Sequence, residues 1–131
     1  MLRVLVMDDE ESVRKLIDRM ITRAGHECDL VDDGAKALNR HREAAAQGKP
    51  YHAVILDLTV PSGMGGLETV QQLKKQAPNL YAIASSGYSN DDFNDDEGKA
   101  LFNDFLKKPY TMQMLVSVLE RVAQETDSGS S

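Results

Sequence analysis

The sequence predicts an α/β fold, a doubly wound parallel sheet of five strands with helices on both faces. Three observations predict it. Short aliphatic runs alternate with amphipathic stretches from end to end. The most apolar run, residues 52–57 (HAVILD), has the character of a strand buried on both faces. Helix-stopping residues, namely Gly25, Gly48 with Pro50, and Pro78, punctuate the amphipathic stretches and divide the chain into strand–helix pairs.

The elements follow in order. Residues 2–7 (LRVLVM) are short, aliphatic and end at acids, which predicts a buried strand. Val13, Leu16, Ile17, Met20, Ile21 and Ala24 then recur at helical spacing, and Gly25 ends that helix. Glu27–Val31 (ECDLV) mixes polar and apolar residues, as an edge strand does. A second helix, weaker in pattern, covers residues 35–47. The third strand, residues 52–57, is followed by the glycine-rich turn at 61–66. Leu67, Val70, Leu73 and Ala77 mark a third helix. Residues 80–85 (LYAIAS) form the fourth strand, residues 90–101 an acidic and weakly helical stretch, and residues 103–106 a short fifth strand. Leu115, Val118, Leu119 and Val122 give the last helix, with Thr111 as its N-cap. Residues 1–124 make one domain and 125–131 a flexible tail or the start of a linker. An edge-like second strand, a central third strand and right-handed crossovers together favour the order 2-1-3-4-5, the flavodoxin-like arrangement.

Composition narrows the function. A net charge of -6 disfavours a direct nucleic-acid partner, because such binding rests on Lys and Arg neutralising phosphates. No apolar run is long enough to span a membrane, and the first ten residues turn acidic too early for a signal peptide. The single cysteine, Cys28, excludes an internal disulfide and suits a reducing cytoplasm, where it reads as a small buried hydrophobe. His26, His41 and His52 share no ligand spacing and read as structural.

Sheets of this kind place ligands beyond the carboxyl ends of their strands. At that edge the first strand ends in Asp8-Asp9-Glu10, the third in Asp57, the fourth in Ser85-Ser86, and the fifth runs into Lys107-Lys108-Pro109. Carboxylates in one cleft repel: at about 4 Å each pair costs roughly 4 kcal/mol at an effective dielectric near 20. Protonation or a hard divalent cation such as Mg²⁺ offsets this. A metal, a carboxylate nucleophile, a lysine and a hydroxyl together describe phosphoryl transfer to aspartate.

The segments MDDEES, VILDLTVPSGMGG, ASSGY and FLKKPYT, in this order and spacing, resemble the response-regulator receiver family of two-component signalling over residues 2–123. The resemblance implies that Asp57 is the phosphoacceptor and a metal ligand. It implies that Asp9 binds Mg²⁺ (or Mn²⁺) directly, Asp8 through water, and Thr59 through its backbone carbonyl. Lys108 would pair with a phosphoryl oxygen, and its bond to Pro109 would be cis. Ser86, rather than Ser85, would be the switch hydroxyl and Phe105 the switch aromatic, reshaping the face made by the fourth helix, the fifth strand and the last helix. The implied partner is a histidine kinase or histidine phosphotransfer domain, with a homodimer through that same face as a further association. The chemistry would be limited to taking up and losing its own phosphoryl group.

Departures from the family pattern are visible. The turn PSGMGG is one residue longer than the common form, which resembles receivers of hybrid sensor kinases. Leu101 stands where glycine is common, and residues 90–97 are unusually acidic. Thr59 and Tyr88 flank the site and bear on water access. Three other readings compete. An aspartate-nucleophile hydrolase of the haloacid dehalogenase type wants a second acid two residues after the nucleophile, where this chain has Thr59. A receiver-like binding module without phosphorylation does not need the full acceptor set that is present. A flavin binder wants ring-stacking partners, and aromatic residues are 5% of the chain with no Trp.

Overall fold

The structure, a computed structural model, describes residues 1–58, 65–86 and 100–129, with the side chains of the last helix described up to residue 126. Its elements are β1 (Arg3–Met7), α1 (Glu11–Arg23), β2 (Glu27–Val31), α2 (Gly34–Ala46), β3 (Ala53–Asp57), α3 (Gly66–Gln76), β4 (Tyr81–Ser86), β5 (Asp104–Lys107) and α4 (Met112–Gly129). The strands form one sheet in the order β2-β1-β3-β4-β5, and every pairing is parallel. This is the predicted order, with the apolar β3 central and the mixed β2 at an edge.

Alternation along the strands divides the core into two layers. Leu5, Met7, Val54 and Leu56 point to the side covered by α2 and α3, where Leu38, Val70 and Leu73 meet them. Val4, Val6, Ile55 and Ile83 point to the other side, where Ile17 and Ile21 of α1 and Leu115 and Leu119 of α4 pack. Each fully buried side chain of this size contributes roughly 1.5–3 kcal/mol, so the two layers hold the sheet rigid between them. By the same alternation, Asp8 and Asp57 continue the rows that end in Val6 and Ile55, toward α1 and α4.

Caps and turns match their local chemistry. Asp33 caps α2 by accepting from Lys36 N at 2.9 Å. Thr111 Oγ1 accepts from Met114 N at 3.2 Å, as the sequence predicts. Gly25 ends the turn after α1 at φ +90, a conformation that side chains disfavour.

Three expectations are modified. Leu16, counted in the apolar face of the first helix, is 55% exposed. The helical spacing puts it on the outer flank of α1, beyond the stripe that Ile17 and Ile21 bury. The last helix continues through Gly129, past the expected tail start at 125, because no Gly or Pro interrupts it before that point. Cys28 is half-buried at the edge of its layer rather than fully inside. The acidic stretch 90–101 lies outside the described residues except for Ala100 and Leu101, which are helical.

Candidate functional site

The strand ends converge as parallel pairing requires. Asp57 stands opposite Ser85 in the β3–β4 register, and Ser86 stands opposite Lys107 in β4–β5. The ladders extend one step past the strands: Asp8 N donates to Val31 O (3.1 Å), Leu58 N to Ser85 O (2.9 Å) and Lys108 N to Ser86 O (2.7 Å). The backbone that presents Asp8, Asp57 and Lys108 is therefore fixed by the sheet itself. The Lys108–Pro109 peptide bond is cis.

Asp8 and Asp57 are each 1% exposed, whereas Asp9 is exposed. One carboxylate oxygen from each of the three lies within 4.8 Å of the others. Lys108 Nζ lies 2.6 Å from Asp8 Oδ2 and 3.4 Å from Asp57 Oδ2. Burial pushes the Lys108 pKa down, but the Asp8 hydrogen bond and the charges of Asp57 and Asp8 outweigh it and hold the ammonium above its usual range. Lys108 therefore stays charged at neutral pH. Asp8 Oδ1 accepts from Glu10 N (2.9 Å), which folds the turn that follows β1.

Among the described residues, the single half-buried ammonium of Lys108 does not neutralise three carboxylates. All-oxygen donors, two of them buried, suit a hard divalent ion such as Mg²⁺ that keeps several waters. The donor set thus fits the metal named from the sequence. Thr59, expected to add a carbonyl ligand, lies outside the described residues, as does Tyr88.

Ser86 ends β4 and is half-buried at the rim. Ser85 is buried, and its Oγ finds no hydrogen-bond partner among the described residues. The Tyr110 hydroxyl, next to cis-Pro109, is likewise buried and unpartnered, and burial followed by the charge of Asp8 raises its pKa. Phe105 is 50% exposed, with its ring 6.1 Å from that of Phe102, so it lies outside the core.

Sequence reasoning missed two contributors. Arg14 Nη1 donates to the Asp8 carbonyl at 2.8 Å. An arginine inside an amphipathic helix carries no signal that separates it from solvated surface. Gly66 lies so close to β3 that a Cβ there would sit 2.7 Å from the Asp57 carbonyl oxygen. Its place in a glycine-rich turn hinted at a bend but not at this contact. The histidines are structural, as expected: His26 Nδ1 and His52 Nδ1 accept from Leu2 N and Arg3 N, and His41 pairs with Gln76 across α2 and α3.

Comparison with known proteins identifies the family of the chain. The family model described as response regulator receiver domain matches residues 4–120. The transcriptional regulatory protein TcrA of Mycobacterium tuberculosis is 32% identical over 124 residues, covering 93% of this chain and 46% of TcrA. The chemotaxis protein CheY of Thermotoga maritima is 29% identical over 123 residues, covering 93% of this chain and 98% of CheY. The crystal structure of NtrX from Brucella abortus superposes with a TM-score of 0.84 at 27% identity, covering 98% of this chain and 28% of NtrX. The chain thus spans less than half the length of TcrA and nearly the whole of CheY.

Proposed function

The chain belongs to the response regulator receiver domain family, and from that premise we propose that Asp57 is its phosphoacceptor, receiving a phosphoryl group from a phosphohistidine donor. The observation that carries this reading is the cluster itself: a buried acceptor carboxylate whose oxygens share a 4.8 Å neighbourhood with Asp8 and Asp9 and lie 3.4 Å from the Lys108 ammonium.

Each residue has a task. An Asp57 oxygen attacks phosphorus in line with the departing imidazole; the P–N bond breaks as the P–O bond forms. Asp8, Asp9 and Asp57 are the side chains that would hold Mg²⁺, and the Thr59 carbonyl would add to them. Bound there, the ion supplies neutralisation of the charge on the transferring phosphoryl oxygens. Lys108, now shared between Asp8 and Asp57, turns to a phosphoryl oxygen and keeps its charge. Ser86 answers the phosphoryl group from the rim of β4, and Phe105, outward in this structure, turns inward behind it. That change shifts the populations of the face made by the segment before β5, β5 and α4. Water later hydrolyses the acyl phosphate and restores Asp57.

The partner is a histidine kinase or a histidine phosphotransfer domain. Exposed Leu16 on α1 and Met114 on the first turn of α4 offer apolar contacts for it, on the two helices that cover the layer beneath Asp8 and Asp57. No described helix is long and apolar enough to cross a membrane; the proposed exchange with a kinase would take place in the cytoplasm. The family match lends nothing to the hydrolase, binding-module or flavin readings.

Incubation with Mg²⁺ and acetyl phosphate tests the reading. The expected product carries one acid-stable, base-labile phosphoryl group by intact-mass spectrometry, and Asp57→Asn carries none. An adduct that survives in Asp57→Asn, or release of many equivalents of phosphate without an adduct, would overturn it.

A further inference from the structure

We propose that Arg14 is a positioning residue that fixes the peptide plane between Asp8 and Asp9, and so holds the Asp9 carboxylate in the cleft before a cation arrives. The inference rests on the acidic cluster being the metal site.

Every other polar group of Asp8 is already engaged. Its N–H donates to Val31, Oδ1 accepts from Glu10 N, and Oδ2 accepts from Lys108. Its carbonyl lies beyond Met7, the last residue of β1, and so falls outside the strand ladder. Arg14 Nη1 takes it at 2.8 Å. Arg14 is itself anchored in α1, its N–H bonding Glu10 O at 3.0 Å. One helical turn thus reaches back across the bend and pins the strand end.

That carbonyl belongs to the peptide joining the two acids. Rotating its plane changes ψ of Asp8 and φ of Asp9 together, and swings the Asp9 side chain. Asp9 is the exposed member of the cluster, and among the described residues no cation pairs with it. With two other carboxylates within 4.8 Å, it gains by turning out to water. The charged bond from Arg14 opposes that rotation, and a preset ligand binds its ion without reordering cost.

The test measures Mg²⁺ affinity by calorimetry with MgCl₂, and urea stability in EDTA, for the wild-type chain, Arg14→Met and Arg14→Lys. Methionine keeps the apolar stem and removes the donor; lysine keeps a charged donor. Arg14→Met is expected to bind Mg²⁺ about tenfold more weakly, as loss of a ligand-orienting partner does. Arg14→Lys is expected to fall between it and wild type. At saturating Mg²⁺, phosphorylation of Arg14→Met by acetyl phosphate is expected to regain the wild-type rate, the mark of a residue that orders the ligand but does not touch the reaction. Wild-type affinity in Arg14→Met overturns the inference, as does a rate that stays low at saturation. If Arg14→Met does not fold, Arg14→Lys decides alone: weakened affinity at unchanged urea stability supports the inference, and wild-type affinity overturns it. A wild-type chain that binds no Mg²⁺ overturns the metal reading itself, a separate outcome.

Discussion

Lys108 Nζ lies 2.6 Å from Asp8 but 3.4 Å from Asp57, so this half-buried ammonium favours the carboxylate that is not the proposed acceptor. Asp57 also has the Asp8 and Asp9 carboxylates within 4.8 Å. Removing its charge relieves the repulsion among these three carboxylates. Asp57→Asn is therefore expected to raise stability in EDTA by about 1 kcal/mol, a small residue of larger opposing terms. Saturating Mg²⁺ should erase the gain, because the ion stabilises only the chain whose carboxylates hold it. Thermal unfolding with and without Mg²⁺ checks both halves. An Asp57→Asn chain less stable than wild type in EDTA would mean that Lys108 already neutralises the acceptor. The acids and Lys108 were legible because charged residues directly after aliphatic runs have only one edge to occupy. Arg14 was not, because its role depends on a carbonyl whose exposure only the bend after β1 creates.

At the scale of elements, the first turn of α3 is fitted to the end of β3 by the absence of a side chain. At Gly66 a Cβ would meet the Asp57 carbonyl oxygen at 2.7 Å and Leu58 Cδ2 at 3.1 Å. The nearer obstacle is backbone, so helix or strand must shift. At Gly65, one residue earlier, a Cβ meets nothing within 4 Å. Gly66→Ala is expected to cost about 1–3 kcal/mol in urea unfolding, and to slow phosphorylation by acetyl phosphate by moving Asp57. Gly65→Ala should change neither appreciably. Equal losses in the two variants would point to glycine flexibility in the turn rather than to close packing. The sequence marked helix starts and stops within a residue or two, since Gly, Pro and cap residues act locally. It misjudged the end of α4, where residues 125–129 carry linker-like polarity yet continue the helix.

For the molecule as a whole, the topology was readable because alternation and crossover handedness leave few arrangements, and the observed order β2-β1-β3-β4-β5 is one of them. The histidines were readable only as non-ligands; what they brace was not, since His26 and His52 bond backbone far away in sequence. Their position gives the fold an acid limit. All three have pKa values lowered from 6.5, first by burial; nearby positive charge adds to this at His26 and His52, whereas the Gln76 bond partly offsets it at His41. The unfolded chain therefore takes up these protons at higher pH than the native one. Stability is fully present above about pH 6.5 and is lost as pH falls through that value toward the lowered native ones. The structural cause at His26 and His52 is direct, because a proton on Nδ1 removes the acceptor for Leu2 N and Arg3 N. These rings are partly solvated, so the summed loss is discounted to roughly 1 kcal/mol by pH 5.5. Urea unfolding in EDTA at pH 7.5 and 5.5 measures it, above the range in which ordinary carboxylates titrate. A flat profile between those values would mean that the histidines charge freely in the native state and brace nothing.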